Sequence, residues 1–443
     1  MRKSKACLLL ALFAATAQVQ ADTPPLDTVQ SDPARMGWMV GFPPPADKYV
    51  HVEDGSSWTF PKTRWAFAHF RELFPTAAVS RGKGPVAPLP IALRPDIAQI
   101  NVTWPGQDKP VNWVQAFDAS YADGILVLHR GRIVFEKYNG VMDPDQPHIV
   151  FSMTKSLYGT LTEMLIAEGK IDERRTVASY IPELAASGFG DATVRQVLDM
   201  TTSLDFNEDT DEGSLKFGTF SIADGMQPRP AGYTGPATSF DALMTVRKVD
   251  AHGQRFDYQS VDTQILALII SRVTGKRSQD VVSERIWSKL GADHDANILV
   301  DRAGMPVALG GLSATMRDMA RFGEMMRRGG RVGGQQVVPA GVVAKIRAGG
   351  NPADMTHALF DYTTRRGWSY RSQWWVRHNS HGAYMAIGAY GQAIYVDPVA
   401  EMVVVRFMSG PTGSTVGLDP MTHATFDALA ERLMSSGGNR AKR

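Results

Sequence analysis

The chain has 443 residues, 44% apolar and 21% charged, with a formal net charge of +2. That is enough apolar chain for a large buried core, built as one big domain or two interlocked ones. The charge balance offers no basic block beyond the terminal "RAKR" and so no nucleic-acid footprint or polybasic membrane patch, and a single cysteine, Cys7, leaves no disulfide or cysteine metal site to build.

The first residues join a basic start (Arg2, Lys3, Lys5) to an apolar stretch from Ala6 to Ala17, with small residues Val19 and Ala21 around a cut. This reads as a secretory signal peptide over residues 1–21, too short to anchor the chain, and no later run approaches the roughly 18 apolar residues that spanning needs. Its removal takes away three cations and no acids, leaving 44 basic against 45 acidic side chains. A bacterial protein of the periplasm or secreted medium, without stable membrane insertion, is expected; nothing bears on its oligomeric state.

Residues 22–118 are rich in proline and aromatics ("MGWMVGFPPP", "FPKTRWAFAHFRELFP"). Prolines that break helix and sheet, beside rings that need burial, predict an irregular arm packed on a core. A β-hairpin follows: Ile125 to Leu128 and Ile133 to Phe135, turned at Arg130 and Gly131. Leu157, Leu161, Met164 and Leu165 then keep helical spacing, and Gly169 supplies a stop. From about 170 to 330, short helical patterns alternate with loops, among them the polar stretch "DFNEDTDEGSLKFGTF". Strand patterns return in "GQAIYVDP" and "EMVVVRFMS", and a final helix places Phe426, Leu429, Ala430 and Leu433 on one face. Strands at both ends of a helical block predict an α+β fold: an antiparallel sheet flanked by helices over residues 119–438, with an inserted helical lobe and a cleft between.

Ser152 and Lys155 lie three apart at the mouth of a helix, so both side chains share a face and the amine can take the hydroxyl proton. The Ser152 N–H at such a helix start can also meet an oxyanion. A second copy of the spacing, Ser80 to Lys83, lies in a Gly and Pro stretch with no helix to orient it. Tyr-x-Ser occurs at Tyr258 and Tyr370; Tyr258 directly precedes a strongly apolar helix, with Ser260 placed as its N-cap. In "AIGAYGQAIYVDP", Gly388 and Gly391 allow close approach of a ligand, and the Gln392 N–H could complete an oxyanion hole, although for a lone glycine pair a bulged core strand is the better reading. His378 and His381 stand three apart beside no acidic pair and are expected in surface or core roles, and "DFNEDTDEG" lacks calcium-loop spacing and reads as a solvated loop.

Taken together, Ser-x-x-Lys at 152, Tyr-x-Ser at 258 and the glycine-bearing strand near 391 resemble the serine β-lactamase and penicillin-binding-protein superfamily, in its class C-like branch. With the arm segments, "FSMTKS" and "DMTTSLDFNED", the chain is most similar to the 6-aminohexanoate-dimer (nylon-oligomer) hydrolases and related esterases. The resemblance implies a β-lactamase-like fold with an all-helical lobe, Ser152 as acylated nucleophile, Lys155 as proton acceptor and Tyr258 as proton shuttle. It implies an oxyanion hole from the Ser152 and Gln392 N–H groups, Ser260 where many relatives have Asn, and substrate contacts from Trp374, Trp375, Tyr390 and Gly391. Neither metal nor organic cofactor is required. Ala389 stands where penicillin-recognising relatives carry lysine, so β-lactam hydrolysis is expected to be poor, and Thr210 replaces a tyrosine of the active nylon-oligomer enzymes. The expected substrate is a small linear amide or ester; a carboxylesterase, a peptidoglycan-peptide hydrolase or a catalytically idle binding module for peptides or wall fragments are the alternatives.

Overall fold

A computed structural model describes residues 25–206, 215–356 and 362–435; the leader, Thr210, most of the acidic stretch and the basic tail lie outside them. The predicted hairpin forms as Ala122–His129 and Arg132–Tyr138, with Arg130 and Gly131 both at positive φ, the geometry of a tight two-residue turn. These strands join the C-terminal ones in a seven-stranded antiparallel sheet. From one edge it runs Ser369–Arg371, Trp374–Val376, Tyr384–Gly388, Gln392–Asp397, Met402–Met408, Ala122–His129 and Arg132–Tyr138. All seven residues of "MVVVRFM" are buried, which is why this strand reads as an unbroken apolar run: it is covered on both faces.

Helix α1, Met153–Ala167, crosses behind the sheet with thirteen of its fifteen residues buried. Helix α2, Ser260–Thr274, packs against it. Helix α3, Met316–Arg327, lies on the sheet instead of in the inserted lobe, because Gly323 lets it approach Val403 and Ile394 closely. The C-terminal helix α4, Asp419–Ser435, buries Phe426, Leu429, Ala430 and Leu433 as the pattern predicts. The block between the two halves of the sheet also contains strands, Ala296–Leu299 and Leu312–Ala314, in a second sheet of four strands.

The arm joins that second sheet. Its strand Thr76–Val79 pairs antiparallel with Ala296–Leu299, while Trp65, Phe67, Phe70 and Phe74 enter the main core. A four-residue strand with two exposed or half-exposed alanines carries too little alternation to be read from sequence. Among the described residues no helix is long and apolar enough to cross a membrane.

Candidate active site

The chain enters α1 through Phe151, a non-glycine residue in the left-handed region (φ 46°). Such a conformation costs about 1–3 kcal/mol and persists only where its surroundings impose it. Here the rings of Phe67 and Tyr390 lie 5.0 and 5.3 Å from that of Phe151 and hold it. The kink presents Ser152 at the N-terminal end of α1, at the wall of a cavity of about 540 Å³.

Lys155, one helical turn on, is fully enclosed, and its Nζ lies 2.7 Å from Ser152 Oγ and 2.5 Å from Leu309 O. The ring of Tyr258 stands 5.2 Å from the same Nζ. Tyr258 sits in the turn that starts α2, between two buried residues, Asp257 and Gln259, whose side chains meet at 2.8 Å. Burial raises the Asp257 carboxyl above its ordinary range, against the opposing pull of Gln259 and Arg255. Three residues more than a hundred positions apart at the extremes thus converge on one hydroxyl. Ser260 is the first residue of α2, with Gln259 in the N-cap position, and it lines the cavity.

The third motif divides. Tyr390 lines the cavity at φ 61°, and burial raises its phenol. Gly388 closes the gap to the nucleophile: a Cβ built there would stand 3.2 Å from Ser152 N and 2.5 Å from Val150 O. Gln392 does not fit the oxyanion role expected of it, because its N–H donates to Ala389 O to close the turn. Its side chain is equally committed, donating to Met408 O and accepting from Met408 N. Gly391 does not line the cavity either; at φ 103° it turns the chain where any Cβ would collide with Met408 Sδ.

Strand alternation separates the two tryptophans. Trp375 faces the cavity and stacks on Tyr258, with centroids 5.8 Å apart and planes at 19°. Trp374 points to the other face of the sheet, is fully buried, and donates its indole N–H to Thr160 at 3.1 Å. It is a core residue, not a substrate contact.

Several wall residues escaped the sequence reading. Trp58 comes from the arm and is fixed by a 2.6 Å hydrogen bond from its indole to Met226 O. Phe217 and Ser221 come from Leu215–Ala223, a helix where a polar loop was expected. Arg365 reaches the cavity from the short turn before the sheet. The aromatic arm announced a need for burial but not its address. Ser80 lies exposed in a loop, its Oγ accepting from Gly82 N, so the second Ser-x-x-Lys has no part in the site. His378 meets Ser369 at 2.7 Å and His381 meets Asp397 at 2.7 Å. Among the described residues no group of three or more His, Cys, Asp or Glu is placed to hold a metal ion.

Comparison with known proteins follows the same outline. A family model described as Beta-lactamase matches residues 112–424. The 6-aminohexanoate-dimer hydrolase of Paenarthrobacter ureafaciens is 39% identical over 355 residues, 80% of this chain and 87% of that one. A solved structure from Bacillus anthracis, described as a 6-aminohexanoate-dimer hydrolase, superposes with a TM-score of 0.79 at 29% identity, covering 88% of this chain and 99% of that one. The D-stereospecific amidohydrolase of a Streptomyces species shares the fold at a TM-score of 0.51 and 15% identity, over 70% and 94% of the two chains.

Proposed function

The chain belongs to the beta-lactamase family, and from that premise we propose that it is an exported serine hydrolase cleaving small linear amides or esters through an acyl-enzyme on Ser152. The observation that carries this reading is the 2.7 Å contact between Lys155 Nζ and Ser152 Oγ at the wall of the cavity. An amine can act as base only when neutral.

In this mechanism Ser152 Oγ attacks the substrate carbonyl as its proton passes to Lys155 Nζ. The oxyanion that forms is met by the Ser152 N–H, at the start of α1, and by a second donor from the strand end lying against it. With the Gln392 N–H spent, that donor is assigned to Ala389, the residue after Gly388 and itself part of the cavity wall. Tyr258, beside Lys155, carries the proton to the leaving group, and in the second half helps draw a proton from the water that frees the acyl group. The aromatic walls, Trp58, Phe151, Tyr258, Trp375 and Tyr390 among them, suit an apolar chain on either side of the scissile bond.

The test is intact-mass spectrometry after brief exposure to a fluorophosphonate, followed by turnover of 4-nitrophenyl esters and short linear amides. One adduct is expected, absent in Ser152→Ala, with turnover lost in that variant and nearly lost in Lys155→Ala. Turnover retained in Ser152→Ala, or a folded wild type that takes no adduct, would refute the acyl-enzyme and favour a binding module. Export rests on the leader-like residues 1–21, and N-terminal sequencing of the extracytoplasmic protein checks it.

A further inference from the structure

The two residues that flank Tyr258 are polar, buried and joined to each other. Asp257 is 2% exposed and Gln259 1%, and Gln259 Nε2 donates to Asp257 Oδ2 at 2.8 Å. A bond between side chains two residues apart closes a ring through the backbone of the residue between them, here Tyr258. The surroundings are aromatic: the ring of Phe256 lies 5.5 Å from that of Trp375 and 5.0 Å from that of Tyr370, and Tyr258 itself stacks on Trp375. A carboxyl and an amide are costly to enclose there, the more so because Asp257 Oδ1 and Gln259 Oε1 have no hydrogen-bond partner among the described residues.

Helix capping does not account for the pair. Gln259 holds the N-cap position of α2 yet makes no side-chain bond to the helix start. That position favours Ser, Thr, Asp or Asn, whose short side chains reach the free N–H groups, whereas Gln259 turns back to Asp257. The approach to Tyr258 is anchored as well: the Asp257 N–H donates to Met200 O at 2.8 Å and the Phe256 N–H to Asp354 O at 3.1 Å. What is left free is the backbone of Tyr258, and the bracket closes over it. The Tyr258 ring stands 5.2 Å from Lys155 Nζ, so a small turn of that backbone is magnified along the side chain to the hydroxyl that must reach the relay.

We infer that the Asp257–Gln259 hydrogen bond sets the place of the Tyr258 hydroxyl, which makes both residues positioning residues for proton delivery to the leaving group. This rests on the serine-hydrolase reading above. Neither residue lines the cavity, so neither meets the substrate. The role calls for an acceptor at position 257, not a charge, and burial already pushes the Asp257 carboxyl toward its neutral form.

Two hexanoyl substrates that differ only in leaving group test it: 4-nitrophenyl hexanoate, whose nitrophenolate departs without a proton, and N-butylhexanamide, whose amine must receive one. The readout is the amide-to-ester ratio of kcat/KM per active site, counted by fluorophosphonate titration. Tyr258→Phe sets the scale, with the ratio expected to fall about a hundredfold. Asp257→Leu and Gln259→Met, each close in size to the residue replaced, remove the bond from either side and should lower the ratio by about fivefold or more. Asp257→Asn keeps an acceptor for Gln259 and should stay within about twofold of wild type. A structural role alone would lower the melting temperature and leave the ratio unchanged; that result in folded Asp257→Leu overturns the inference, as does an Asp257→Asn ratio as low as that of Asp257→Leu. Should Asp257→Leu fail to fold, Gln259→Met decides by the same ratio. If Tyr258→Phe itself leaves the ratio unchanged, the proton-shuttle reading fails and takes the bracket with it; a fall in Tyr258→Phe without one in Asp257→Leu refutes the bracket alone.

Discussion

Gly388→Ala tests the oxyanion geometry with one methyl group. The added Cβ would lie 2.5 Å from Val150 O, about 0.8 Å inside the ~3.3 Å at which carbon and a carbonyl oxygen normally meet. It would also lie 3.2 Å from Ser152 N. Both obstacles are backbone, on the segment that enters α1, so neither can rotate aside as a side chain would. The strand end carrying Ala389 must withdraw from Ser152 by several tenths of an ångström or more. A displacement near 1 Å costs on the order of a hundredfold in rate, and loss of one oxyanion donor costs ~10²–10³. Overpacking of this kind lowers stability by about 1–3 kcal/mol. We expect kcat for a 4-nitrophenyl ester to drop at least fiftyfold per active site, counted by fluorophosphonate titration, while thermal unfolding stays cooperative. The control is Gly341→Ala: its Cβ meets nothing within 4 Å in an exposed helical turn, so stability should rise by about 0.4–1 kcal/mol with activity unchanged. If Gly388→Ala loses stability but keeps its rate per titrated site, the strand end does not supply the second donor.

Tyr258→Phe keeps the stack on Trp375 and removes only the hydroxyl. It should lower kcat by ~10²-fold or more, as loss of a positioned proton carrier does, with a melting temperature within about a degree of wild type in calorimetry; full activity would exclude Tyr258 from proton transfer. Glu173 gives a pH test. Burial pushes its carboxyl up, but hydrogen bonds from Lys345 and Arg195 outweigh that and hold it at about 2, against an ordinary 4.5. A depressed carboxylate stabilises the fold above its unfolded value and loses that contribution as pH falls through the folded one. Glu173→Gln should therefore melt lower than wild type at pH 7, with the gap closing between pH 4.5 and about 2. A gap that stays constant across that range would show that packing, not charge, is responsible.

The residues legible in the sequence are those whose geometry is local. Ser152 and Lys155 share a helix face by spacing alone, and Tyr258 is fixed by the helix it precedes. The hairpin at Arg130 and Gly131 and the apolar stripe of α4 are equally short-range. What was missed depends on long-range placement. Trp374 and Trp375 are distinguished only by which face of the sheet each meets, and alternation needs the register before it can choose. The error at Gln392 has a different cause: a glycine-rich strand entry gave no sign that its N–H would be consumed in the turn at Ala389. Arg365 lacked any motif because its partners, Thr415 and Asp419, lie fifty or more residues downstream.

The arm has one further bearing, on how the cavity is divided along the chain. The family model begins at residue 112, so Trp58 and the strand Thr76–Val79 fall outside the residues it matches, while the Bacillus anthracis structure, covering 88% of this chain, reaches back into the arm. The reacting groups are encoded in one stretch of the gene, and part of the vessel that contains the substrate is encoded in another. A chain recloned from residue 112 would keep its nucleophile but lose one flank of the chamber, leaving a bare strand edge along Ala296–Leu299. Changes confined to residues 25–111 could likewise retune what is admitted to the cavity while Ser152, Lys155 and Tyr258 stay as they are.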